Sequence, residues 1–163
     1  MNITITSTPH NRHKLDIFRL WNNEYPAQLG FADMAALDVY LNNLGNPIHY
    51  FATNDNNSII GWAFTFEREG ETWFAIIVDS TMQGKGVGSQ LLHSLKANTS
   101  LLNGWVTDHY RYSKQNGQPY LSPFQFYLKN GFTVCHEIRL EIPVLSAVKI
   151  TWQADEPGRT PSI

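Results

Sequence analysis

The six residues Gln83-Gly84-Lys85-Gly86-Val87-Gly88 have the types and spacing of an anion cradle. Glycines at alternate positions open backbone conformations closed to other residues and allow close approach to a ligand. An apolar run, Trp73-Phe74-Ala75-Ile76-Ile77-Val78, precedes them, and an amphipathic one, Val87 to Ala97, follows. Strand, glycine turn and helix in that order aim several backbone N–H groups and the positive end of a helix dipole at one spot. The guest that suits such a spot is a phosphate or pyrophosphate. Two familiar phosphate signatures do not fit. A Walker loop requires G-x-x-x-x-G-K-[ST], whereas Lys85 is followed by Gly86 and the first glycine is missing. A dinucleotide fingerprint requires glycine where Ser89 stands and an acid about twenty residues on, where Asn103 and Gly104 stand.

Other groups able to do chemistry are scattered. Asp108-His109 ends a predicted strand, and a histidine can exchange protons near neutral pH without a large perturbation. Glu67 and Glu71 flank a predicted hairpin turn. Each of these also reads as a solvated surface group. Cys135 is the only cysteine, so no internal disulfide forms, and its place on a predicted strand makes it a small core residue. His10, His13, His49, His93 and His136 make no zinc-like pattern with cysteine or carboxylates. The net charge of −2 and the lack of a basic run argue against a nucleic-acid partner. No apolar stretch reaches the length of a membrane span, and Met1 to Thr6 lacks the character of a signal peptide. No membrane partner is expected, and the expected compartment is the cytoplasm.

With 163 residues the chain can build one domain with a real core. Asn2 to Thr6 alternates isoleucine with polar residues, as a short strand does. Leu15, Phe18, Trp21 and Tyr25 recur at helical spacing from about Asn11, until Pro26 and Gly30 break the pattern. Met34, Leu37, Leu41 and Leu44 give a second helical stripe, ended by Gly45 and Pro47. Ile48 to Thr53 reads as a strand, and Ile59 to Glu67 and Thr72 to Val78 as a hairpin. After the glycine turn and its helix, Asn103 to Asp108 reads as another strand. The segment Tyr110 to Pro123 has no period and is long for a connection, a length often tied to function. Ser122 is placed to cap a fourth helix with Phe124, Tyr127 and Leu128 inward and Gly131 as its stop. Thr133 to Ile142 and Ala147 to Trp152 complete the strands. Gln153 to Ile163 reads as a loose tail.

Gln83 to Gly88 matches the Q/R-x-x-G-x-G/A signature of the GCN5-related N-acetyltransferases (GNAT), and Phe126-Tyr127-Leu128-Lys129-Asn130-Gly131-Phe132 resembles the family's second signature, F-Y-x-x-x-G-F. One helix and one strand separate the two, as in the family, and the element order fits from Ile3 to Trp152. The resemblance implies an α+β fold of three layers. It has a mixed, mostly antiparallel central sheet of about seven strands, flanked by about four helices, in a single domain over residues 1–152. It implies acetyl-CoA as cosubstrate and a small-molecule or peptide amine as acceptor, acetylated by direct attack on the thioester. The backbone N–H groups from Gln83 through Gly84, Lys85, Gly86, Val87 and Gly88 would hold the pyrophosphate, joined by the Ser89 hydroxyl. Ile76, Ile77 and Val78 would pair with the pantetheine arm, and the Val78 N–H would polarise the thioester carbonyl. Tyr127 stands where the family has its general acid for the departing thiolate, a role a phenol suits. Many relatives carry a glutamate as base on the strand before the turn, but Trp73 to Val78 has no acid. That leaves Glu67, Glu71, Asp108 and His109 as candidates, or a water. The missing acid keeps a non-catalytic acyl-CoA-binding or regulatory module as the alternative reading. The acceptor side would be built from Trp21 to Phe31, the Tyr110 to Tyr120 loop and Val144 to Lys149. The fold also admits a homodimer through the last strands.

Overall fold

The structure is a computed structural model and describes residues 1–155. The chain runs β1 (Asn2–Thr6), α1 (Asn11–Glu24), α2 (Met34–Asn42), β2 (Gly45–Thr53), β3 (Ile59–Arg68), β4 (Glu71–Val78), α3 (Val87–Asn98), β5 (Leu101–Val106), α4 (Phe124–Lys129), β6 (Thr133–Ile142) and β7 (Leu145–Gln153). Short 3-10 turns at Ala27–Leu29 and Ser80–Met82 follow α1 and β4. The seven strands form one sheet in the order β1-β2-β3-β4-β5-β7-β6. All neighbours are antiparallel except β4 and β5. The expected architecture and element order are therefore observed. No helix among the described residues is long and apolar enough to cross a membrane.

Alternating side chains of the central strands feed two cores. Tyr50, Ala52, Ile60, Ala63 and Phe74 pack with Val87, Leu91, Leu92 and Leu95 of α3 and Tyr127 of α4. Phe51, Trp62, Phe64, Phe66, Trp73 and Ile77 pack with Ile17, Leu20 and Trp21 of α1 and Leu37 and Leu41 of α2. Both faces of β3 are covered, which is why Ile59 to Phe66 reads as one nearly unbroken apolar run. Gly61 fixes how close α3 can come. A Cβ there would lie 2.9 Å from both Leu91 Cδ1 and Val87 Cγ1.

The parallel pair β4 and β5 meets at one register pair, Trp73 with Asn103. Asn103 pins that end, donating from Nδ2 to Glu71 Oε2 at 2.7 Å and to the Thr72 carbonyl at 3.3 Å. Beyond it the two strands splay apart toward Val78 and Val106.

Several boundaries differ from the sequence reading. β2 starts at Gly45, not Ile48, because Gly45 pairs with Glu67 and a bulge before Ile48 absorbs Pro47. β5 starts at Leu101 and ends at Val106, in register with β7 from Gln153 to Val148. Ser122 does not occupy the cap position, which falls on Pro123. Its hydroxyl accepts from the Phe124 N–H at 3.3 Å and donates to the Thr107 carbonyl. Phe126, not Leu128, faces the core from α4. Gln153, assigned to the tail, closes β7, and the rest of that tail from residue 156 lies outside the described residues.

Candidate active site

The glycine turn links β4 to α3 through two left-handed residues, Gly84 at φ +76° and Gly86 at φ +87°. Such φ values are strained for any residue with a Cβ. The turn is braced from below. Asp79 accepts from the Thr81 N–H at 2.9 Å, and the Gln83 carboxamide donates to the Val78 carbonyl at 3.2 Å. The first intrahelical bond of α3 runs from the Gln90 N–H to the Gly86 carbonyl at 3.0 Å. The N–H groups of Val87, Gly88 and Ser89 therefore have no acceptor within the helix and face outward at its positive end.

β4 supplies a second row of backbone groups. Asp79 N–H donates to the Ile60 carbonyl at 3.0 Å, and Val78 stands opposite Gly61. That pattern makes Val78–Gly61 a non-hydrogen-bonded pair, and Ile76–Ala63, two residues back, another. The N–H groups of Ile76 and Val78 thus point away from β3, on the side where β5 makes no register pair with β4 beyond Trp73–Asn103 among the described residues.

Two cavities open on the splay. The larger, about 550 Å³, is lined by Ile76, Ile77, Val78, Gln83, Gly84, Gly86, Gly88 and Ser89, faced by Glu24, Tyr25, Tyr120, Phe126 and Tyr127. The smaller, about 310 Å³, has many aromatics in its wall, among them Trp21, Tyr40, Phe66 and Trp105, and Arg68 also lines it. Tyr25, Ile76, Tyr120, Pro123 and Tyr127 line both, so the cavities meet there. Trp105 Nε1 and Thr107 Oγ1 are buried without a hydrogen-bond partner among the described residues, and both side chains border the smaller cavity.

Tyr127 is 5% exposed and stands edge-on to Phe74, Phe126 and Phe132, with ring centroids 5.2–5.5 Å apart. Burial, with Tyr120 nearby, raises its phenol pKa far above the ordinary value. Tyr120 is pushed up to about 12 by burial, and Tyr25 is raised too. All three keep their protons at neutral pH, which is the state a proton donor needs.

The 110–123 loop is a folded flap. Tyr120 N–H donates to Tyr112 carbonyl and Lys114 N–H to Gln118 carbonyl, at 2.9 and 2.8 Å. Ser113 carbonyl accepts from Ala27 N–H at 2.9 Å, tying the flap to the turn after α1. Tyr112 hydroxyl accepts from Ser146 N–H at 2.7 Å, tying it to β7. These ties set Tyr120 into the junction of the two cavities.

Most of the residues singled out from the sequence come together. Ile76, Ile77, Val78, Gln83, Gly84, Gly86, Gly88, Ser89 and Tyr127 line one cavity. Lys85 is exposed and outside its lining, and Val87 buries its side chain under α3, leaving only its N–H for the site. Asp108 and His109 line neither cavity. Arg139 holds the Asp108 carboxylate through two bonds of 2.8 and 3.1 Å, which lower its pKa. His109 Nδ1 accepts from Arg111 N–H at 3.2 Å, and Nε2 faces the Ser146 carbonyl at 3.3 Å, so neither nitrogen is free. Glu67 and Glu71 are engaged by Asn46 and Asn103. The residue the sequence reading missed is Glu24, the only carboxylate among the described residues that lines either cavity. A signal existed: Ile17, Leu20, Trp21 and Glu24 share one helical stripe, so an acid stands on the buried face of α1.

Comparison with known proteins bears on the family and the fold. Residues 46–134 match the model of the acetyltransferase (GNAT) domain. Among solved structures, aminoglycoside 6'-acetyltransferase type Ii is 14% identical at a TM-score of 0.67, covering 92% of this chain and 96% of its own. Ribosomal-protein-alanine N-acetyltransferase from Brucella melitensis is 14% identical at 0.64, covering 92% and 99%. The GphF GNAT-like decarboxylase in complex with isobutyryl-CoA is 15% identical at 0.68, covering 94% and 99%. At these identities the likeness is one of fold. No curated protein sequence matches the chain. The family model takes in more than half of the chain, including both the glycine turn and the helix that carries Tyr127, and the chain belongs to the GNAT family of acetyltransferases.

Proposed function

We propose that the protein is an N-acetyltransferase that moves the acetyl group of acetyl-CoA to an amine within a ternary complex. The observation that carries this reading is that three elements open onto one cavity: the left-handed glycine turn, the unpaired edge of β4 and the buried Tyr127. The outward N–H groups of Val87, Gly88 and Ser89 suit a pyrophosphate, and the free N–H groups of Ile76 and Val78 suit an extended arm with amide groups of its own. The bound cosubstrate supplies an activated acyl group as a thioester. Val78 N–H would stabilise the negative charge that builds on the carbonyl oxygen as the amine attacks. Tyr127 would give its phenolic proton to the sulfur as the C–S bond breaks, and of the two protons an ammonium acceptor loses on becoming an amide, one would restore the phenol through solvent and the other would leave to bulk water. The sum from an ammonium acceptor releases one proton per turnover.

The alternative is a non-catalytic acyl-CoA-binding module, favoured by the absence of a carboxylate from Trp73 to Val78, the part of β4 that leads into the glycine turn. Calorimetric titration with acetyl-CoA, isobutyryl-CoA and CoA, beside Gly86→Trp, tests the shared part. Micromolar binding lost in the variant supports the site, and no binding to the wild type overturns both readings. A Tyr127-dependent release of CoA from acetyl-CoA separates the enzyme from the binding module.

A further inference from the structure

Glu24 is only 8% exposed, yet it is a carboxylate on the stripe of α1 that otherwise carries Ile17, Leu20 and Trp21. It also ends its helix, where the dipole disfavours negative charge. Two costs at one position call for a compensating partner, and the fold provides little. Oε1 lies 3.4 Å from Lys114 Nζ, longer than a well-made charged hydrogen bond of about 2.7–2.9 Å. Oε2 is buried and meets no donor among the described residues. The carboxylate borders the larger cavity with Val78 and Tyr127. Lys114 itself comes from the flap, between the Ser113 carbonyl held by Ala27 and the Tyr120 N–H held by Tyr112. Its side chain can leave Glu24 without either tie breaking.

We propose that Glu24 is the docking point for the ammonium group of the acceptor, and that Lys114 holds that place in the free protein. An arriving alkylammonium replaces one ammonium with another, so the buried carboxylate is never left without a counter-ion. The second oxygen, buried and without a donor among the described residues, leaves the carboxylate one hydrogen bond short when Lys114 is its partner. The chemical class of acceptor is a charged alkylamine. Its body is apolar or aromatic, because the adjoining smaller cavity offers Trp21, Phe66 and Trp105 as walls. The assignment of that amine as acetyl acceptor rests on the reading above, whereas the cation site does not.

Lys114→Ala removes the internal ammonium and makes the site readable with methylammonium as probe. The measurement is the thermal midpoint of wild type, K114A and E24Q/K114A, with methylammonium or tetramethylammonium chloride at constant ionic strength. Methylammonium at several times its Kd is expected to raise the K114A midpoint by about 2–4 °C. It should raise the wild type less and E24Q/K114A not at all, and tetramethylammonium, which has no N–H, should raise none of them. Equal responses of K114A and E24Q/K114A would overturn the proposal. Should the double variant fail to fold, Glu24→Gln alone takes its place and must gain nothing from the probe. Acetyl-CoA titration of wild type runs alongside. Failure there removes the acetyl-transfer reading and leaves the cation site standing or falling on the methylammonium result.

Discussion

The indole N–H of Trp62 donates to Nδ1 of His49 at 3.0 Å, with both side chains fully buried where β2 meets β3. Because Nδ1 accepts, the imidazole carries its proton on Nε2, which finds no acceptor among the described residues. The ring stacks near Phe51 and Trp62, with no carboxylate in hydrogen-bond contact among the described residues. Burial alone drives its pKa down to about 4.

Stability should therefore depend on pH through His49. In the unfolded chain the group titrates near 6.5, so between pH 6.5 and 4 the unfolded state binds a proton that the native state refuses. The native state keeps its full margin above about pH 6.5 and loses it as pH falls toward 4, by up to about 3 kcal/mol. Denaturant titrations from pH 4 to 8 measure the slope. His49→Gln keeps an acceptor for Trp62 but cannot titrate, and should flatten the slope over that interval. An undiminished slope would assign the effect to other groups.

Tyr127→Phe keeps the ring contacts with Phe74, Phe126 and Phe132 and deletes one hydroxyl. Turnover with the fastest amine found in a screen is expected to fall by about 10²- to 10⁴-fold, the usual range for a general acid. Acetyl-CoA affinity should hold within about twofold, since that hydroxyl would act on the sulfur only as it leaves. Unchanged turnover would take Tyr127 out of the mechanism.

Gly86→Ala forces a Cβ onto φ +87°, a strain of about 1–2 kcal/mol, although no atom lies within 4 Å of the new methyl. CoA affinity should drop at least about tenfold if the turn gives way to relieve that strain. Lys85→Ala, at an exposed position outside the cavity, should change it by less than about threefold. Calorimetry on both variants gives the contrast, and a larger loss in Lys85→Ala would mean that side-chain charge, not backbone shape, holds the phosphates.

Gly61→Val should act on stability and binding together. The new side chain meets Leu91 Cδ1 and Val87 Cγ1, and α3 must lift from β3. Overpacking of this kind costs about 1–3 kcal/mol, a fall of roughly 2–12 °C in Tm for a domain of this size. Because Val87 opens α3, CoA affinity should weaken as well. A normal melting curve would show that the helix has room to move.

The element order was readable because both periodicities are strong here. Ile59 to Phe66 is apolar throughout because both faces are covered, and Val87, Leu91 and Leu95 mark one face of α3. The two signature stretches likewise supply six of the residues that line the larger cavity: Gln83, Gly84, Gly86, Gly88, Phe126 and Tyr127. What failed was long-range. Asp108 has the makings of a base when read alone, but Arg139 lies thirty-one residues away and claims both its oxygens. Ser122 looks like a cap until Thr107 takes its hydroxyl. Nothing in Ile76-Ile77-Val78 distinguishes a strand that loses its neighbour from one that keeps it, since the splay depends on where β5 and β7 pair. Glu24 was legible in principle. Weighing charge against the helical stripe, instead of counting only its apolar members, would have flagged it.

By its place in the strand order β4 is central, but over its last three residues it is bonded like a rim. A rim of that sort usually invites a strand from a neighbouring molecule and so invites aggregation. Here it is set inside the sheet, with Trp73 and Asn103 closing one end and Tyr120 and Tyr127 standing over the gap. A foreign strand brings its own flanking neighbours and is too broad to enter. On the function proposed above, a single slender chain would lie along Ile76 to Val78, and the gap would screen visitors by thickness before any side chain inspects them.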